Sequence, residues 1–135
     1  MKAIYSASQA KHHPLYFTSS GAQANNPEVP QRADALLAAA MSAGCEHVEP
    51  TESGLALISA VHTPEYLRFL KNIHQRWQRI ENASKEVVPN IHPNRRDGSY
   101  PASAVGQAGY HMADTACPIS SETYKAVVLS LIHID

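Results

Sequence analysis

With 135 residues, the chain is long enough for one small domain with a core of its own. Its 44% hydrophobic and 17% charged content is globular and excludes a disordered tail. Eleven Lys and Arg stand against twelve Asp and Glu, a formal net charge of −1, so there is no electrostatic case for nucleic acid or an anionic membrane as partner.

Cys45 and Cys117 are too few for a disulfide framework, and neither stands in a Cys-x-x-Cys. Reduced, packed thiols are expected. Met1-Lys2-Ala3-Ile4-Tyr5-Ser6 has one cation and no long apolar run behind it, so no signal peptide is expected. No stretch approaches the roughly 20 apolar residues that cross a bilayer. A soluble cytoplasmic protein is the default expectation.

In chain order, Lys2 to Ser6 is short and apolar and predicts a buried first strand. Ala7 to Val29, with Pro14, Gly21, Asn25, Asn26 and Pro27, reads as a long loop, of the kind that tends to be functional. Pro30 sets up a helix whose stripe is Ala33, Leu36, Leu37, Ala40 and Met41, with Gly44 as a stop. Cys45 to Pro50 predicts a short strand. Leu55, Leu57, Ile58 and Val61 suit a short helix, weakened by Gly54.

Thr63-Pro64-Glu65 is a strong helix start: a hydroxyl cap, proline at the first position and an acid beside it. Tyr66, Leu70, Ile73, Trp77 and Ile80 then recur at steps of four and three, the clearest amphipathic helix of the chain. From Asn82 to Pro101 a polar loop is expected, on account of Pro89, Pro93, Gly98 and the charges at 95–97. A helix follows over about 102–116, and Ser120 or Ser121 caps a last one beginning at Glu122. Two short strands separated by a helix are the start of an α/β sheet and would not be stable alone.

These features come in a familiar order. A first strand and a long loop lead to Pro27-Glu28-Val29-Pro30-Gln31-Arg32-Ala33. Then come His62-Thr63-Pro64-Glu65-Tyr66-Leu67, a second long loop ending in Gly106-Gln107-Ala108-Gly109-Tyr110, and Ile119-Ser120 with Tyr124 and Ala126. Over residues 1 to about 128 the chain resembles the N-terminal portion of the histone deacetylase / acetylpolyamine amidohydrolase family, the acetylpolyamine type foremost.

The resemblance implies an incomplete arginase/deacetylase-like α/β fold, a parallel sheet flanked by helices, with only the first strands and helices present. Residues 1–135 would be the N-terminal part of a single deacetylase domain, cut before the catalytic residues. In such enzymes zinc, bound by two Asp and one His, polarises an acetyl-amide carbonyl and activates a water. A His pair serves as general base and acid, and a Tyr stabilises the oxyanion. By the resemblance all of these follow the helix that ends this chain. No catalytic residue and no metal ligand is therefore expected in it, Zn2+ is implied for the full-length enzyme only, and the chain alone is expected to be inactive. The implied reaction is hydrolysis of acetylated polyamines or related small amines. A histone- or acetoin-utilisation-type deacetylase is the alternative within the class, and a non-catalytic interaction module the alternative outside it.

Three residues are candidates for a substrate or product channel: Arg32, Tyr110 and His111. Arg32 matches a family position near the internal channel through which acetate is thought to leave, where a guanidinium binds a carboxylate by two parallel hydrogen bonds. The bland alternative is an ion pair with Glu28 or Asp34. Tyr110 and His111 match the second loop's approach to the active-site rim. Histone deacetylases carry an Asp at the position of His111, and its absence argues for a small amine over a peptide. An amine would want carboxylates nearby, and neither Asp114 nor Glu122 aligns with a recognition Glu. His62, Tyr66 and Trp77 read as structural, and His12-His13 as loop surface. The eight histidines show no metal spacing. Arg95-Arg96 reads as solvated loop, and by resemblance the 82–101 loop helps make a homodimer.

The end, Leu129 to Asp135, lacks the family's small-residue pattern. It reads either as native chain or as a non-native tail resembling a translated sequencing-adapter sequence.

Overall fold

The computed structural model describes residues 1–51, 54–94, 96 and 98–130. They fall into two compact units, one built from Met1–His13, Pro27–Val61 and the chain from Glu122 on, the other from Pro14–Asn26 and His62–Ser121. No helix among the described residues is long and apolar enough to cross a membrane.

In the first unit, β1 (Lys2–Ile4) pairs in parallel with β4 (Glu46–Val48), Lys2 opposite Glu46 and Ile4 opposite Val48. The strand expected to be buried is not: Lys2 is exposed and Ala3 and Ile4 are half-buried. A two-stranded sheet gives each strand a single neighbour and little cover. Helix α1 (Pro30–Ser42) starts with proline at its first turn and has no side-chain cap at Val29. It stops where expected. Gly44 has φ 80, its N–H bonds the carbonyl of Met41 at 2.9 Å, and the Cys45 N–H bonds that of Ala40 at 3.0 Å. This is the paired closure that a left-handed residue after a helix permits.

The apolar stripe of α1 lies on one side as read, yet none of its residues is buried, and Leu36 is 68% exposed. Helix α2 (Gly54–Val61) buries Ile58 alone. Helix α5 (Thr123–Ser130) begins later than a Ser120 or Ser121 cap would give, because the Glu122 carbonyl accepts its first helical bond, from the Ala126 N–H at 2.9 Å. Residues 129 and 130 continue that helix, and 131–135, most of the suspected tail, lie outside the described residues.

The long loop expected over 7–29 is more ordered than its composition suggested. In the first unit it holds a 3₁₀ helix, Ala7–Lys11, begun by Ser6. In the second it holds an antiparallel hairpin, β2 (Tyr16–Ser19) with β3 (Ala22–Asn25). Ser20 and Gly21, at φ 52 and 79, make the two-residue turn whose twist matches a hairpin. The Thr18 N–H bonds the Thr115 carbonyl at 3.2 Å, and the Thr115 hydroxyl returns a bond to the Thr18 carbonyl at 2.8 Å.

Helix α3 (Pro64–Trp77) is the pillar of this unit. Thr63 caps it by accepting the Tyr66 N–H at 3.2 Å, and Phe69, Leu70, Ile73 and Trp77 are buried along one stripe. Ile80 falls beyond the helix end and is half-buried. The stretch after Asn82 has no helix or named strand among its described residues, but its start is not a polar loop. Glu86, Val87 and Pro89 are buried, and Val87 exchanges both backbone hydrogen bonds with Ile119. Helix α4 (Ala104–His111), capped by Ser103, packs on α3. It ends short of 116: Met112 is extended, and the Asp114 carboxylate takes the Ala116 N–H at 2.8 Å, a local turn that competes with helix.

Candidate functional site

The face shared by α3 and α4 places an aromatic cluster around one histidine. His111 is the last residue of α4, and its side chain is only 8% exposed. Its ring lies 4.4 Å from that of Phe69, 5.0 Å from Tyr110, and 5.5 Å from both Tyr66 and Tyr100, centre to centre. Nε2 shares a hydrogen bond of 2.9 Å with the Tyr100 hydroxyl and stands 4.0 Å from a carboxylate oxygen of Glu65. Tyr110 meets Tyr100 edge to face at 5.1 Å.

The Tyr100 phenol is pushed up from its ordinary value, first by burial and then by the Glu65 carboxylate, against which Arg76 and Arg68 pull down. Chemically the cluster offers π faces and one carboxylate beside a partly protected imidazole. The Tyr66, Tyr110 and His111 rings suit a cation, while Glu65, Phe69 and Tyr100 also border a groove lined by Arg68, Arg76 and Arg79.

Two of the three candidates, Tyr110 and His111, are thus brought together. Arg32 belongs to the first unit. There it is ion-paired with Glu28, one turn earlier on α1's approach, and both side chains are more than half exposed. The ordinary pairing weighed for Arg32 is present, with Glu28 as its acid. Asp34 instead accepts a hydrogen bond from the Tyr5 hydroxyl at 3.1 Å. Arg32 and Glu28 line a cavity of about 280 Å³ with Gln9, His12, Leu36 and Ala126.

His12 corrects one reading. It is half-buried rather than loop surface, because the 3₁₀ helix carries it to the start of α5, where its Nδ1 shares a hydrogen bond of 3.2 Å with the Thr123 hydroxyl. His13 is exposed. His62 is exposed, its ring 5.2 Å from that of Tyr66, while Trp77 is core, donating its indole N–H to the Ser84 hydroxyl at 3.2 Å. Glu122 pairs with Lys125 at 3.3 Å. Arg96 is exposed, and Arg95 lies outside the described residues.

Sequence reasoning missed Glu65, Phe69 and Tyr100 as parts of this cluster. Glu65 carried a signal only as a helix-start acid, and Phe69 only as a neighbour of the apolar stripe. Tyr100, at the end of an irregular stretch, carried none. Among the described residues no three His, Cys, Asp or Glu side chains converge so as to hold a metal ion.

No family model matches the chain. Individual proteins do. The chain is 37% identical over 134 residues to an acetylpolyamine amidohydrolase of Burkholderia pseudomallei, covering 96% of itself and 38% of that protein. It is 35% identical over 107 residues to acetylpolyamine amidohydrolase 1 of Pseudomonas aeruginosa, covering 76% of itself and 31% of that protein. It is 32% identical over 132 residues to acetylpolyamine amidohydrolase 2 of the same organism, at 96% and 38%.

A crystal structure of the Burkholderia pseudomallei acetylpolyamine aminohydrolase superposes with a TM-score of 0.87 at 36% identity, over 94% of this chain and 37% of that one. The chain therefore spans between about a third and two fifths of the length of these relatives. The expected α/β architecture, part of an arginase/deacetylase-like fold with a small parallel sheet and helices, is the one found.

Proposed function

We propose that this chain, which belongs to the acetylpolyamine amidohydrolase family, is the N-terminal portion of a hydrolase that removes acetyl groups from acetylated polyamines or related small amines. The observation that carries the reading is 37% identity maintained over 134 residues. Backbone agreement at a TM-score of 0.87 with an aminohydrolase crystal structure supports it.

Zinc is the metal this reading implies. The described residues do not fit it, since they supply no convergent set of three ligands. In this reading the metal is held by parts of the enzyme that the relatives carry outside the matched stretch, and no catalytic step is assigned to residues here. What this chain contributes is framework and rim. We assign the Tyr66, Tyr110 and His111 ring faces, away from the arginines, to the amine side of the substrate. We assign the cavity beside Arg32 to the acetate side of the reaction. The 82–101 segment, where Ile91 is 50% exposed, is the surface for a homodimer.

The test is to read the gene from source DNA across codon 129 and onward, then assay the product. A frame that runs on and reaches a His pair, an Asp-x-His, a later Asp and a late Tyr is expected, whether or not Leu129 to Asp135 is retained. Its product should release acetate from an acetylated diamine faster than from an acetyl-lysine peptide, and lose activity to a chelator. A true stop after Asp135 would sink the catalytic reading. Preference for the peptide would move the assignment to the histone type.

A further inference from the structure

Three arginines share one groove along the outer face of α3. Arg68, Asn72, Gln75, Arg76 and Arg79 line it with Glu65, recurring at steps of three and four as one helix face does, with Arg79 just past the helix end. The groove encloses about 390 Å³. That falls inside the range of small-molecule sites, roughly 300–1,000 Å³. Leu70, Ile73 and Trp77, on the other side of the helix, are core.

None of the three guanidiniums is ion-paired with a carboxylate among the described residues. With Glu65 the only acid in the lining, the groove carries a net charge of +2 in a chain whose total is −1. One of the cations is fixed in place. Arg76 donates Nη2 to the Ala102 carbonyl at 2.7 Å and Nη1 to the Gln107 side-chain oxygen. Gln107 is 9% exposed and is itself anchored through Nε2 to the Pro101 carbonyl at 2.8 Å. A guanidinium has five N–H donors in a rigid fork, so Arg76 retains donors whose orientation is already settled. Pre-ordering of this kind lowers the entropy cost of binding.

We propose that this groove binds a small anion bearing two or more phosphate groups. An amine has the wrong sign for it, since three cations outweigh the one carboxylate at its end. A lone carboxylate would leave net positive charge behind. Arg68 and Arg76 are separated by about 12 Å along the helix axis at 1.5 Å per residue, more than a single phosphate group spans. Linked phosphates present several oxygen acceptors, so more than one guanidinium fork can be paired at once.

The experiment is calorimetric titration of inorganic pyrophosphate, then inorganic tripolyphosphate, into the gene's full-length product at low salt. Saturable binding is expected, tighter for tripolyphosphate and weakening as salt is raised. The double variant Arg68→Gln/Arg79→Gln, both positions exposed, should weaken it by about tenfold or more. Lys71→Gln, an exposed cation on the same helix that does not line the groove, should leave it unchanged. Should the double variant lose its circular dichroism signal, Gln75→Glu puts a carboxylate into the groove and is expected to weaken binding likewise. No heat at millimolar pyrophosphate overturns the proposal. So does an equal loss from Lys71→Gln, which would mean diffuse attraction rather than a site.

Discussion

Tyr100 and His111 share a hydrogen bond of 2.9 Å between phenol oxygen and imidazole Nε2, across the space between an irregular stretch and the end of α4. Burial, followed by the Glu65 charge, raises the Tyr100 phenol above the ordinary 10.0. A folded-state value raised in this way stabilises the fold fully below the unfolded value, and that stability is lost as pH climbs past it. Unfolding free energy should therefore fall above pH 10 in part through Tyr100. Replacing Tyr100 by Phe should remove one of the late-titrating phenols from the near-ultraviolet phenolate curve. Tyr5, raised by desolvation and by Asp34, is another and should remain. An unchanged high-pH limb in Tyr100→Phe would show that the phenol is not held in this way.

The histidine itself should matter more to folding than its polarity suggests. Four aromatic rings surround His111, the nearest at 4.4 Å. Truncation to Ala would empty that space, at a cost of about 3 kcal/mol, while the Tyr100 hydroxyl, on an exposed residue, would turn to water. The denaturation midpoint in urea measures it. A double-mutant cycle with Tyr100→Phe should show a coupling of about 1 kcal/mol, and additivity would mean the hydrogen bond contributes nothing.

Glu86 ties the hairpin to the rest of its unit. This buried carboxylate accepts the Leu15 N–H at 2.7 Å and, more weakly, the Tyr16 N–H at 3.5 Å. Glu86→Ala should cost about 2 kcal/mol, because a hydrogen bond to a charged group is lost. Glu86→Gln keeps one carbonyl-type oxygen and should cost less. Hydrogen exchange at Leu15 provides the local readout: it should accelerate in the Ala variant, and protection that survives would separate the hairpin from Glu86.

What could be read from the sequence follows how local the cause is. Helix α3 was legible because cap, first-turn proline and apolar period all lie within one segment, and each is present as expected. The stop of α1 was legible because a single left-handed glycine closes it. The burial of α1's stripe was not, since that depends on what covers Leu36 and Met41, and among the described residues little does. The hairpin carried a weak signal. Tyr16-Phe17-Thr18 suits a strand, but Ala22-Gln23-Ala24-Asn25 does not, and the Ser20-Gly21 turn between them is brief. The aromatic cluster could not be read at all. It gathers Glu65, Tyr66 and Phe69 with Tyr100, Tyr110 and His111, and only tertiary packing sets that meeting. Of the site residues proposed from resemblance, Tyr110 and His111 share this cluster, and Arg32 carries the pairing that ordinary helix chemistry allows.

Gly109, two residues before the end of α4, allows the closest backbone approach among the glycines. A Cβ built there would fall on the carbonyl oxygen of Ile91, 2.7 Å from its carbonyl carbon and 3.1 Å from the Pro93 Cδ. The obstruction is main chain, which cannot swing aside as a side chain would. Gly109 also offers its own carbonyl to His92 Nδ1 at 3.2 Å, so the same residue both admits and holds the 91–93 stretch. Helix propensity alone would favour Ala at this position by about 1 kcal/mol. Overpacking costs about 3 kcal/mol when backbone must shift, so the clash wins by about 2 kcal/mol. Gly109→Ala should lower the urea midpoint and move the amide resonances of Ile91 and His92, and a variant that gained stability would mean that this stretch does not lie against α4.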